Sequence, residues 1–252
     1  MTHKISARPL GAAVACAVAL AGLATQARAA TVDATLAATY FEIKAGTGAP
    51  DFGGSGFPNV AAGSALGPNG MPVVSSMSPG ISLVNPTTHE IEWWSPAMDS
   101  DVIKTGTGTI ALPYASNMYP PNSTGSNDGA AWETAMFSGN FTLASSGVVS
   151  FTLGSDDDSF IYVDGTLIGQ NPGLHGVTTV EFDSPTLGAG GHTLNVFFAD
   201  REDVGAFLSL NLLSTDVVIT PGVPEPGSWA LLVAGAGLLG AWSRRHPSGE
   251  RA

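Results

Sequence analysis

The stretch Gly154-Ser155-Asp156-Asp157-Asp158-Ser159-Phe160-Ile161-Tyr162-Val163-Asp164-Gly165-Thr166-Leu167-Ile168 decides the fold class. Two runs rich in β-formers, Phe160–Val163 and Thr166–Ile168, flank Asp164-Gly165, a dipeptide suited to the positive φ values of a tight type I′ turn. The pattern predicts a hairpin. Outward from it, Val149, Phe151 and Leu153 recur with period two, as do Leu194, Val196 and Phe198, and again Leu208, Leu210 and Leu212, which reads as half-buried strands. Turn clusters such as Gly188-Ala189-Gly190-Gly191 punctuate them, and no long amphipathic helical pattern lies between Ala30 and Gly222. An all-β fold, a β-sandwich of one domain over 30–222, is expected. The first half is less regular, with Gly and Pro scattered from Gly46 to Gly80 and a polar loop from Asn117 to Gly129, so it is expected to supply edge strands and long loops, with Trp93 and Trp94 packed inside the sandwich.

The chain has 252 residues, 44% hydrophobic and only 12% charged, with 32 Gly and 17 Pro, a composition of globular chains rich in turns rather than of disordered polyelectrolytes. Between Ala30 and Gly222 stand three basic residues, Lys44, Lys104 and Arg201, against nineteen acidic ones. Such a surface repels phosphate backbones and attracts divalent cations, so nucleic acid is not an expected partner.

The two ends read differently from the middle. Lys4 and Arg8 precede an apolar run from Pro9 to Ala24 and the small-residue site Ala27-Arg28-Ala29, which predicts a signal peptide over 1–29. Cys16, the only cysteine, falls inside it, so the exported part must rely on a hydrophobic core or on bound metal instead of disulfides. At the other end Pro224-Glu225-Pro226 is followed by an uncharged run from Ser228 to Ser243 and then by Arg244-Arg245. Sixteen helical residues extend about 24 Å, enough to span a thin bilayer, and the paired arginines would hold the helix end on the cytoplasmic side. Gly235-Ala236-Gly237-Leu238-Leu239-Gly240 matches a dinucleotide fingerprint but follows no strand and sits in a membrane-length run, which discounts it. The segment 223–246, with a short cytoplasmic tail over 247–252, resembles the PEP-CTERM sorting segment. That resemblance implies a Gram-negative host that makes exopolysaccharide, transient anchoring in the inner membrane, cutting by an exosortase, and release toward the cell surface or extracellular matrix.

A second resemblance begins at Trp132-Glu133-Thr134-Ala135-Met136-Phe137-Ser138-Gly139 and runs through Gly147-Val148-Val149-Ser150-Phe151 and Gly154–Gly165. Together with His175-Gly176, Gly190-Gly191-His192-Thr193-Leu194, Phe197–Glu202, Pro50-Asp51-Phe52 and Gly70-Met71-Pro72-Val73, these blocks resemble the fibro-slime members of the PA14-type β-sandwiches. Asp200 and Asp203-Val204 around Arg201 depart from the pattern, as does the stretch from Ser82 to Asn127.

Asp156-Asp157-Asp158 carries the clearest candidate chemistry. Consecutive carboxylates repel unless something positive or water separates them, and a flexible loop of hard oxygens suits Ca²⁺; a solvated acidic turn is the plainer alternative. The PA14 resemblance implies, by analogy with lectins of the yeast flocculin type, that Asp157 and Asp158 hold calcium that contacts a sugar. Arg201, flanked by Asp200, Glu202 and Asp203, reads as a structural ion pair, and His175 and His192, with no metal-ligand spacing, as satisfied histidines. Asn122-Ser123-Thr124 and Asn140-Phe141-Thr142 satisfy a glycosylation sequon but read as ordinary polar positions. No nucleophile elbow, Walker loop or zincin motif occurs, so no catalytic residue is assigned and an enzyme is not expected. Three readings stay open: a glycan-binding surface or matrix protein associated with exopolysaccharide, biofilm or floc; an acidic matrix component without a saccharide site; and, least favoured, a polysaccharide-processing enzyme.

Overall fold

A computed structural model of the chain describes residues 34–44, 51–53, 60–75, 83–118, 131–202 and 205–222. The expected signal peptide, the sorting segment with Pro224, Glu225, Pro226, Arg244 and Arg245, the tail and the Asn122 sequon lie outside the described residues. Among the described residues every regular element is a strand, and no helix is long and apolar enough to cross a membrane.

The strands are β1 (Ala34–Lys44), β2 (Ala62–Leu66), β3 (Pro72–Val74), β4 (Val102–Leu112), β5 (Tyr114–Asn117), β6 (Ala131–Leu143), β7 (Ser150–Asp156), β8 (Asp158–Val163), β9 (Thr166–Asn171), β10 (Thr178–Asp183), β11 (Gly190–Ala199), β12 (Phe207–Leu212) and β13 (Ile219–Pro221). They form a nine-stranded sheet in the order β3-β2-β9-β8-β11-β6-β1-β4, with β13 on β6, and a four-stranded sheet in the order β10-β7-β12-β5. All pairings are antiparallel. The chain passes from the large sheet to the small one between β4 and β5, across the cis Leu112–Pro113 bond, and, after β6 in the large sheet and β7 in the small one, back to the large sheet between β7 and β8, across a cis Asp156–Asp157 bond. The hairpin expected at Asp164-Gly165 is present: both residues have positive φ, 51° and 72°, which the glycine accepts at no steric cost.

Alternation along the strands builds two cores. Leu36, Phe137, Ile161, Val196 and Phe198 of the large sheet meet Phe151, Leu153, Leu208 and Leu210 of the small one, filling the space between the sheets. The opposite parity of the same large-sheet strands is also apolar: Phe41, Phe160, Tyr162 and Phe197 join Phe52, Val60, Ile91, Trp93 and Trp94 in a second core. The expectation that the tryptophans pack inside the sandwich is therefore corrected, since they are buried on the outer face of the large sheet. Trp94 sits edge-on to Phe160 and Phe197, and its indole N–H donates to the Phe198 carbonyl at 2.7 Å. The half-buried reading of the Leu194–Phe198 strand needs the same correction: β8 is buried along its whole length and β11 over Val196–Ala199, because segments of 51–98 lie over them. Burial of each large apolar side chain stabilises the fold by about 1.5–3 kcal/mol, so the second core is no minor addition.

Where β9 faces β10 of the small sheet, Gly169 lets the Phe182 ring lie directly on the backbone. A methyl group there would run into the ring. Gly169→Ala should cost about 1–3 kcal/mol by overpacking, read as a lower midpoint in thermal or urea unfolding. Gly106→Ala, with open space around it, should leave the midpoint close to wild type.

Candidate functional site

The aspartate triplet lies where the chain returns from the small sheet to the large one. Asp156 ends β7 opposite Phe207, and Asp158 opens β8 opposite Ala199. The three carboxylates have different fates. Asp157 is buried, and its oxygens accept the backbone N–H groups of His175 at 3.0 Å, Arg201 at 2.8 Å and Glu202 at 3.1 Å. Asp158 points inward, where one oxygen accepts the Gly173 N–H and the other the Arg201 Nε–H at 2.6 Å, both side chains having no exposed surface. Asp156 alone stays half-buried, its carboxylate against Gly205, with no hydrogen-bond donor among the described residues.

Arg201 completes the arrangement. Its guanidinium lies 5.1 Å from the centre of the Trp93 ring, and Nη1 faces the Asp51 carbonyl at 3.5 Å. The Asp51 carboxylate in turn accepts the Leu83 N–H and the Trp93 indole N–H, and the Gly53 N–H donates to the Arg201 carbonyl. The ion pair expected at Arg201 is thus present, with Asp158 as a partner far along the chain.

Burial raises the pKa of Asp158, opposed by the guanidinium, which remains charged in proteins, and by the Gly173 N–H. Asp156 is pushed up to about 6, first by burial and then by the negative charges of Asp157 and Glu202, with His175 acting the other way. His192 is satisfied, as expected: Nδ1 lies 2.7 Å from the Asp164 carboxylate and Nε2 2.9 Å from the Gly188 carbonyl, contacts that raise its pKa in that order.

The three aspartates therefore do not converge. Among the described residues no group of three or more His, Cys, Asp or Glu side chains is placed to hold one metal ion. Of the three aspartates expected as calcium ligands, Asp157 and Asp158 are engaged by backbone N–H groups and Arg201, and Asp156 carries the carboxylate that the described residues leave unused. Asp51 and Trp93, which complete the Arg201 environment, carry no chemical motif of their own and were missed; the resemblance at Pro50-Asp51-Phe52 was the one signal pointing there.

Residues 222–245 match the PEP-CTERM protein-sorting motif. That segment marks an exported chain anchored transiently in a membrane before processing. No curated protein matches the chain. Similar solved structures include the PA14 sugar-binding domain from an RTX adhesin, 19% identical over 37% of this chain and 58% of that one with a TM-score of 0.29. The PA14 domain of the MpAFP antifreeze protein is 15% identical over 78% of this chain and 97% of its own, at a TM-score of 0.35. The epithelial adhesin 6 A domain from Candida glabrata, in complex with Galb1-3GlcNAc, is 13% identical over 75% and 84%, also at 0.35. The chain spans less than two thirds of the RTX adhesin domain.

Two outcomes follow from this geometry. Arg201→Met leaves Asp158 buried without its counter-ion and should cost about 3–5 kcal/mol, a loss that Arg201→Met with Asp158→Leu should largely recover in chemical denaturation. Asp156 has a folded pKa above its unfolded one, so its contribution is favourable below about 4 and is lost as pH rises through about 6. In EDTA, Asp156→Asn should therefore raise the melting temperature at pH 7 by about 2–4 °C, for a gain on the order of 1 kcal/mol, with no gain at pH 4.

Proposed function

We propose that this chain is a non-enzymatic surface or matrix protein that binds glycan, associates with exopolysaccharide in biofilm or floc, and is cut from the inner membrane by an exosortase at the Pro224-Glu225-Pro226 segment, ahead of the Arg244-Arg245 flank. The sorting match directly after the β-domain supports the export half of this reading. The glycan half rests on the PA14-type sequence blocks and on one structural observation: Asp156 is a carboxylate with no protein donor among the described residues, set at the mouth of a crossover whose other two aspartates are already held.

The hard carboxylate oxygens of Asp156 and Asp157 are of the type that Ca²⁺ takes. Asp156 offers a whole carboxylate, and Asp157 Oδ1 retains one lone pair beyond the His175 N–H it accepts, its Oδ2 being taken by the Arg201 and Glu202 N–H groups, whereas Asp158 is committed to Arg201 and Gly173. Bound there, calcium would neutralise Asp156 and offer positions to sugar hydroxyls. Asp157 and Asp158 hold the 173–175 and 200–202 segments in place around that point. The alternative, an acidic matrix component without a saccharide site, draws on the same geometry, since two of the three aspartates already serve the fold.

Calorimetric titration of Ca²⁺ into the full chain in detergent, paired with glycan-array retention with and without EDTA, tests the reading. Saturable heat and a stabilisation of about 2.7 kcal/mol at a hundredfold excess over Kd, both absent in Asp156→Asn, are expected, with retention of neutral glycans lost in EDTA. Retention of neutral glycans that ignores EDTA would remove calcium and keep the glycan role. A folded protein that retains no glycan would leave the matrix role.

A further inference from the structure

The second core does not cover the whole outer face of the large sheet. Beside it a cleft of about 670 Å³ crosses β1, β6 and β11, rimmed by Asn69, Gly70 and Pro96. Strand parity fixes its lining. The positions that alternate with the inward-facing Phe137 and Val196 bring Met136, Ser138, Asn140 and Asn195 to this face, and Lys104, paired with Phe41 across β1 and β4, joins them. Phe41 and Phe197 complete an apolar floor with Met136.

Asn69 and Thr193 at this cleft donate to Glu90 and Asp164, but other polar side chains of the lining are not used by the fold. Those of Ser138, Asn140, Asn195 and Lys104 form no hydrogen bond or ion pair with any described residue. An amide offers both donors and an acceptor, and a hydroxyl offers one of each kind, so the set can hold a ring of hydroxyl groups over an apolar floor. The charge is equally telling. Of the three basic residues between Ala30 and Gly222, Arg201 is buried in its ion pair and Lys44 is engaged, which leaves the Lys104 ammonium exposed at the cleft in a region with nineteen acidic residues.

We infer that this cleft binds a segment of acidic polysaccharide, with sugar hydroxyls on Asn140, Asn195 and Ser138 and a uronate carboxylate on Lys104. The inference rests on the glycan-binding reading but not on calcium. Asn195 lies four residues along β11 from Ala199, the partner of Asp158, so this amide stands roughly 13 Å along the strand from the aspartate crossover at about 3.3 Å per residue. Neutral glycans would meet the amides but not use the lysine, and polyanions without hydroxyls would use only the lysine.

The test is calorimetric binding of a galacturonic acid tetramer to the full chain in detergent with EDTA present, beside maltotetraose as the neutral probe. Saturable binding of the galacturonate is expected, weakened about tenfold or more in Lys104→Gln and also reduced in Asn195→Ala, with both variants melting as wild type. Binding unchanged in Lys104→Gln, or equal binding of maltotetraose, would overturn the inference. Absence of galacturonate binding while the array still retains neutral glycan would reject the cleft and leave the broader glycan role standing. Silence toward every glycan would reject both.

Discussion

The Arg201–Asp158 ion pair is fully buried, and burying two charges costs several kcal/mol per ion before their attraction is counted. Such a pair persists only where the remaining hydrogen-bonding capacity is met. Here the Gly173 N–H takes the other Asp158 oxygen, the Trp93 face covers the guanidinium, and Asp157 accepts the Arg201 backbone. Each of these partners belongs to a different part of the chain, so one interaction fixes the start of β8, the 173–175 segment, the exit from β11 and the outer layer around Asp51 and Trp93. Removing either charge alone leaves the other stranded, which makes the pair a condition for the local arrangement more than a source of net stability.

The outer layer around that pair lies on a sheet that has two apolar faces over much of its area. Phe160 and Tyr162 would otherwise face water, and Trp93 and Trp94 would have nothing to pack on. The layer reaches only part of the way across, and this partial cover creates the cleft. Its polar lining sits where Ser138, Asn140 and Asn195 occupy the same strand parity that carries Met136 and Phe197 beneath the cover, so the change from buried aromatic to open amide happens within single strands.

The hairpin was legible because Asp164-Gly165 states its turn chemistry locally, and the sandwich because period-two alternation is a property of a few neighbouring residues. Arg201 was legible as an ion pair from its isolation among acids, yet its partner was not, because the β8–β11 register brings Asp158 across 43 residues while Asp200 and Glu202 stand beside it in the chain. The triplet was legible as a cluster of carboxylates without revealing which one points where. That depends on the crossover between sheets, which turns Asp158 inward and leaves Asp156 outside. Trp93 and Trp94 declared themselves buried by type alone, but nothing in their own neighbourhood says which face of which sheet they cover. Lys104, Asn140 and Asn195 come from three strands and share no motif, so the cleft becomes visible only once register is known.

The end of the domain ties the fold to its export. β13 lies along β6 at Gly139–Phe141, in line with β1, which occupies the same edge of β6 from Ala131 to Ser138. The Gly222 N–H donates to the Ser138 carbonyl, so the first residue of the sorting match is also hydrogen-bonded to the sheet. Any load borne by the sorting segment while it is held in a membrane thus enters through β13 into β6, a strand also bonded to β1 and β11. Force along an antiparallel strand is shared across its ladder bonds, and Ile219, buried in the inter-sheet core, opposes sliding of β13. The attachment point is therefore placed on the interior of the large sheet and away from its outermost strands, β3 and β4, where a pull would peel bonds one at a time.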